Sequence, residues 1–188
     1  MKDIRGSILL NCKALIDEEG VNEISVRRLV KASGCSLRSL YNNFENLDAV
    51  YHEVRDEFTL DIRDFILARL PGIPTNDDEL YITYSSFVSY FLEYPNRFYF
   101  MYLYKHNRSS EQEPIFASQD FRALIQESHQ YLLDDHRVSS EELYMLNQRI
   151  LYGLFGLLTL YFTENFSLTK DMVLPAFRDF YYRQINCV

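Results

Sequence analysis

Between Ile24 and Phe44 the only charged side chains are Arg27, Arg28, Lys31 and Arg38, all positive. A run of uncompensated guanidinium and ammonium groups suits anions, and phosphate oxygens are the anions such groups bind by charge-assisted hydrogen bonds. The same segment holds Leu37, Arg38, Ser39, Tyr41, Asn42 and Asn43, which supply a fork donor, an apolar contact and several hydrogen-bonding groups within seven positions. Those are the types able to meet the donors, acceptors and methyls of base pairs in a groove about 12 Å wide. Ser25 stands where a helix would begin, and the free amides of a helix N-terminus can hold a phosphate.

Other chemistries find no support in the spacing. The four histidines, His52, His106, His129 and His136, show no H-E-x-x-H or other ligand pattern, so no metal site is expected. No G-x-S-x-G, glycine-rich phosphate loop or cysteine-histidine arrangement occurs, so no catalytic residues and no cofactor are expected. The pairs Asp77-Asp78 and Asp134-Asp135 read as solvated caps beside helix ends. Cys12, Cys35 and Cys187 are odd in number and widely spaced, which argues against a disulfide framework and for a reducing, cytoplasmic compartment. Cys35 reads as a small turn residue. No secretory signal is expected, and the longest uncharged stretch, 150–163, is too short for the roughly 20 residues of a membrane crossing.

The elements that must position the basic segment read as helices throughout. Apolar residues recur at three and four positions and nowhere alternate, so the chain is expected to be all-α with about nine helices. Ile4, Ile8, Leu9, Cys12, Leu15 and Ile16 make the stripe of a first helix that stops at Gly20. Ser25 caps a second over 26–33, Gly34 permits a tight turn, and Ser36 caps a third over 37–43 with Leu40 and Phe44 inward. Asn46 caps a long fourth helix to about Leu70, ended by Pro71-Gly72-Ile73-Pro74. A fifth starts at Thr75 or Asn76 and reaches Glu93, and an aromatic sixth follows Pro95 from Asn96 to about His106. After a polar loop over 107–114, a seventh runs from Ser118 to about Leu133. An eighth begins at a Ser139–Glu142 capping box, and a last begins at Thr169 or Leu174, Pro175 leaving its start open.

The formal charge of -8 is unevenly spread. In residues 1–50, Lys2, Arg5, Lys13, Arg27, Arg28, Lys31 and Arg38 cancel an equal number of acids, and the rest of the chain carries the whole excess.

Two short helices joined by a glycine turn describe a helix-turn-helix, and here the wording is specific. Ile8-Leu9, Cys12 in a small-residue slot, Leu15-Ile16 and Gly20 lead into SVRRLVKASGCSLRSLYNNF, with Gly34, Ser36, Leu40, Tyr41 and Phe44 at their offsets. The segment resembles the TetR family of transcription regulators. That resemblance implies a three-helix DNA-binding domain over 1–46 and an effector-binding and dimerisation domain over 47–188. It implies phosphate contacts from Ser25, Tyr41 and Asn43, and base-facing roles for Arg27, Leu37, Arg38 and Ser39, with Arg28 and Asn42 beside them. Beyond that segment only Tyr94-Pro95-Asn96-Arg97-Phe98 and the helix count look similar. The chain departs from the family's pattern in having Leu47 where Lys often follows the helix-four cap, and in its minimal basic arm. Each departure removes a phosphate contact, so modest affinity and dependence on a dimer are expected.

Residues 84–104 hold ten rings, too many for one helix face. They serve either as core or as the lining of a hydrophobic pocket, for which Phe58, Ile62, Phe87, Phe91, Met101, Tyr102, Phe121 and Tyr152 are the candidates. The default effector is a small apolar or aromatic molecule. Val173, Ala176, Phe177, Phe180, Tyr181 and Gln184 stripe the last helix, and Leu151, Leu154, Phe155, Leu158 and Phe162 the eighth. Both stripes suit core. By the resemblance they form a homodimer face, with Phe155, Leu158, Phe162, Phe177, Phe180 and Tyr181 at its centre, matched to a palindromic double-stranded DNA operator. Ligand in the body would then shift helix four and change the spacing of the DNA-reading heads. The competing expectation is a helical carrier or protein-interaction module that has lost operator binding, and an acidic body with Leu47 keeps it open.

Overall fold

Asp3, Ser25, Ser36, Asn46, Asn76 and Ser139 each place a side-chain oxygen where a helix begins, and most of the architecture follows from them. The computed structural model describes residues 3–105, 119–164 and 167–187, with only the backbone at 119–122. The loop expected over 107–114 and the side chain of Phe121 therefore lie outside the described residues. Among the described residues all regular elements are helical. None of their helices is long and apolar enough to cross a membrane.

Asp3 accepts from the Gly6 N–H at 2.9 Å and starts α1 (Ile4–Glu19), whose buried face is Ile8, Leu9, Cys12, Leu15 and Ile16. A single 3₁₀ turn (Val21–Glu23), not expected from the pattern, then carries Val21 inward. Ser25 accepts from Arg28 N at 3.3 Å at the head of α2 (Val26–Ser33), and Ser36 from Ser39 N at 3.0 Å at the head of α3 (Leu37–Asn43). Asn46 accepts from Ala49 N at 2.9 Å over α4 (Leu47–Leu67), which stops about one turn before Leu70. Asn76 accepts from Glu79 N at 3.0 Å and α5 spans Asp77–Glu93.

The expected sixth helix changes form partway. Four residues of α6 (Pro95–Phe98) widen into a π turn (Tyr99–Leu103), closed by the Tyr104 N–H on the Tyr99 carbonyl at 2.7 Å. The wider turn lets the consecutive residues Phe100 and Met101 both be buried. The seventh helix is divided into α7 (Gln119–Ser128) and α8 (Gln130–Asp134). At the break, Ser128 Oγ and His129 Nδ1 turn back on the carbonyls of Leu124 and Ile125, at 2.7 and 2.6 Å. Side chains that bond locally compete with helix continuation. The buried Tyr84 hydroxyl then bridges His129 Nε2 at 2.7 Å and the Asn147 side-chain amide at 2.8 Å.

The capping box at Ser139 and Glu142 is formed and opens α9 (Ser140–Phe162). The last helix, α10 (Lys170–Ile185), begins at the earlier of the two expected starts, which puts Pro175 beyond its first turn. Proline there leaves a carbonyl one turn earlier without its N–H, a cost of about 3 kcal/mol. Val173, Phe177, Tyr181 and Ile185, all fully buried on this helix, outweigh it at about 1.5–3 kcal/mol each.

Contacts group into two compact units, the described parts of Met1–Asp61 with Tyr94–Ser118, and of Ile62–Glu93 with Gln119–Val188. In the first, α1 packs on α2, α3 and α6; in the second, α10 packs on α9 and α5. Asp77 is not the solvated cap expected of it but the hub of the second unit. Its carboxylate accepts from Tyr131 Oη and Arg137 Nη1 at 2.6 Å each, and its carbonyl from Tyr181 Oη at 2.9 Å.

Two outcomes follow from these interiors. Pro175→Ala restores a donor in mid-helix and should raise stability by about 1–3 kcal/mol, read as a higher midpoint in urea; a lower midpoint would contradict the account of α10. Burial lowers the His129 pKa, opposed by the bond to the Ile125 carbonyl, so the folded chain favours the neutral ring. The stability this contributes is present above the ordinary value of about 6.5 and is lost as pH falls towards the lowered one. The thermal midpoint should therefore drop between about pH 7 and about pH 5, and drop less in His129→Gln, as followed by circular dichroism.

Candidate nucleic-acid interface

The short pair α2 and α3 is built around Gly34. Its φ of +61° lies in the left-handed region, and its N–H donates to the Lys31 carbonyl at 3.3 Å as α2 ends. A side chain at that φ costs about 1–2 kcal/mol, so glycine is the fitting residue. Leu29, Leu40 and Phe44 are buried and turn the opposite faces of the two helices outward. Cys35, in the turn, is half-buried.

On the outward side, Leu37 and Tyr41 are 50% and 51% exposed, and Arg38 and Asn42 are exposed beside them. Ser39 and Asn43 are half-buried. Asn43 spends one amide N–H on the Ser39 carbonyl at 2.7 Å, which orients its remaining groups. A large apolar side chain left half in water next to a guanidinium is a poor solvent surface and a suitable contact for a base edge and its methyl.

The structure sorts the cations that the sequence could only enumerate. Arg28, expected to face outward, is half-buried and pairs with Glu19. Arg5 pairs with Glu53, donates to the Asn43 carbonyl at 2.9 Å and lies 4.6 Å from the centre of the Phe44 ring. Lys13 pairs with Glu57 and Asp61 at 3.2 and 3.1 Å. Arg27, Lys31 and Arg38 are exposed and have no ion pair among the described residues. Arg5 is a positioning group that sequence reasoning missed. Its partners lie 38 and 48 residues away, and no local spacing signals them.

The described members of the expected pocket set are divided between the two units. Phe58 is buried in the first unit with the Arg97 guanidinium 4.3 Å from its ring centre and Phe100 at 5.9 Å. Met101 is buried and Tyr102 half-buried in the same unit, the latter against Phe98 at 5.3 Å. Ile62, Phe87 and Phe91 are buried in the second unit, where Phe87 contacts Phe91 at 5.0 Å and Phe155 at 5.8 Å. Tyr152 is 70% exposed on α9. Two open clefts of the second unit, about 410 and 570 Å³, have none of these residues in their walls. Among the described residues no group of three or more His, Cys, Asp or Glu could hold a metal ion.

Of the expected dimer residues, Leu158, Phe177 and Tyr181 are fully buried inside their own chain. Phe155, Phe162 and Phe180 are half-buried. Gly153 serves the packing of α9 on α10, since a methyl there would collide with the Phe180 ring, whereas Gly156 faces open space. The apolar surface left on α9 is Tyr144, Met145, Tyr152 and Leu160.

No family model and no curated protein sequence matches the chain. Solved structures do resemble it. A TetR transcriptional regulator from Rhodococcus sp. RHA1 matches 98% of this chain and 94% of its own, with a TM-score of 0.60 and 16% identity. A TetR family transcription regulator from Marinobacter aquaeolei VT8 matches over 95% and 93%, with a TM-score of 0.58 and 16% identity. The fatty acid degradation regulator FadR from Bacillus halodurans matches over 96% of each chain, with a TM-score of 0.56 and 16% identity. At that identity the likeness is one of fold, and the chain has the all-α fold found in TetR-family transcription regulators.

Proposed function

We propose that the chain is a DNA-binding transcription regulator of the TetR type, a repressor that leaves a palindromic operator when a small hydrophobic or aromatic effector binds. The observation that carries the reading is the exposed face of α2 and α3. Arg27 and Lys31 of α2 and Arg38 of α3 are exposed without ion pairs among the described residues, and Leu37 and Tyr41 of α3 are half in water. In an acidic chain, such a face is suited to phosphate and base edges. Ser25, Tyr41 and Asn43 grip phosphates; Arg27, Leu37, Arg38, Ser39 and Asn42 meet bases. Arg28, engaged by Glu19, supports α2.

Residues 1–46 then form the reading domain and 47–188 the effector and dimer domain, acting in the cytoplasm without catalysis. Three cations per chain are few, so affinity rests on a homodimer through the half-buried Phe155, Phe162 and Phe180 and the exposed side of α9. A two-fold dimer matches half-sites about 34 Å apart, and effector in the body alters that spacing through α4.

Selection of bound sequences from random double-stranded DNA tests the reading and should enrich a palindrome. Arg38→Ala should then weaken binding by about 1–3 kcal/mol and relax specificity at one base of each half-site. Affinity should fall with salt less steeply than the slope of about −9 that ten phosphate contacts would give. Enrichment of no sequence would favour the carrier or interaction module instead, and sedimentation as a concentration-independent monomer would remove the dimer.

A further inference from the structure

Arg97 lies far in sequence from α2 and α3, and its side chain is engaged on every side. It is 9% exposed. Its Nε and Nη2 donate to the two carboxylate oxygens of Asp17 at 2.7 Å each, and its Nη1 donates to Asp61 at 2.9 Å. The guanidinium plane is held between aromatic rings, with the centres of Phe58 and Tyr94 each 4.3 Å from Cζ. Next to it Asn96 Nδ2 donates to the Asp17 carbonyl at 3.0 Å. One side chain of α6 thus grips the C-terminal end of α1 and joins it to α4.

Stability alone does not require this arrangement. A buried ion pair is often matched or bettered by an apolar residue of similar volume, since desolvation offsets most of the Coulomb attraction. What a guanidinium fork adds is direction, because two parallel bonds to one carboxylate set distance and angle together. The end of α1 that it fixes leads to the reading face by a short route. Glu19, two residues beyond Asp17, holds Arg28 of α2, and Ser7 Oγ donates to the Ser33 carbonyl at 3.3 Å at the far end of the same helix.

We propose that Arg97 is a positioning residue for DNA reading, its grip on Asp17 and Asp61 setting the angle of α1 and so of α2 and α3. The proposal rests on the function proposed above. Mis-set helices lose base contacts while keeping their charges. Specific binding is therefore impaired and sequence-independent phosphate binding is not.

The test compares the full chain with Arg97→Met, which fills the slot between the rings, and Arg97→Lys, which keeps the charge without the fork. Each is measured for thermal unfolding, for affinity to an operator selected from random DNA, and for affinity to unrelated DNA at the same salt. Arg97→Met should fold, lose about tenfold in operator affinity and keep its affinity for unrelated DNA, with an unchanged salt slope. Arg97→Lys should fall between it and the parent. Undiminished operator affinity would overturn the proposal. So would equal losses on both DNAs, the mark of a merely structural role, or a slope shallower by about two units, the mark of a direct phosphate contact from each chain of the dimer. Should Arg97→Met fail to fold, Asp17→Asn breaks the same fork at a more exposed position and is read against the same outcomes. If the parent selects no DNA, the function fails on its own account. Amide exchange over residues 13–31 then decides the positioning, faster exchange in the variant supporting it and unchanged exchange overturning it.

Discussion

A helix of seven or eight residues cannot hold itself together in water, because closing its first turn fixes several dihedrals for a single hydrogen bond. α2 and α3 are of that length, and their existence depends on what Leu29, Leu40 and Phe44 bury and on the α1 face that receives them. The rest of the first unit serves that dependence. Asp3 starts α1, Arg5 closes over Phe44 and the end of α3, Glu19 holds α2, and Arg97 holds α1 in turn. The exposed face of α2 and α3 is thus made from short pieces that a longer helix supports from behind.

Electrostatics follow the same division. In a chain with net charge -8, Arg5, Lys13 and Arg28 are engaged by carboxylates, and each pair ties two elements. Arg27, Lys31 and Arg38 are left exposed, without ion pairs among the described residues. An acidic protein can present a local basic face in this way because screening over roughly 8–10 Å keeps distant carboxylates from cancelling it.

The aromatic half of the chain divides between filling and linking. Phe58, Phe87, Phe91, Phe98, Phe100 and Phe177 are buried without polar demands, whereas the hydroxyls of Tyr84, Tyr131 and Tyr181 reach His129, Asn147 and Asp77 from inside the core. Tyrosine is suited to both tasks, carrying a large apolar ring with one group that must find a partner when buried. The second unit is thereby cross-linked by hydrogen bonds that neither a phenylalanine core nor a surface tyrosine could make.

What the sequence determined by itself were the properties set within four residues: period, caps and the glycine turn. Ser25, Gly34, Ser36 and the Ser139–Glu142 box all stand where local chemistry puts them, and the helices they start have the expected first residues. The outward types on α3 were legible for the same reason, since a helical face is a local property. Tertiary structure alone decided which cation is spent, which ring is core and where a helix breaks. Arg28 and Arg38 look alike in sequence, and only the fold brings Glu19 to one of them. The His129 ring at the break is held by a tyrosine 45 residues earlier, and the start of α10 depends on a buried stripe strong enough to carry Pro175. Such choices are made by partners distant along the chain, so no spacing within a segment records them.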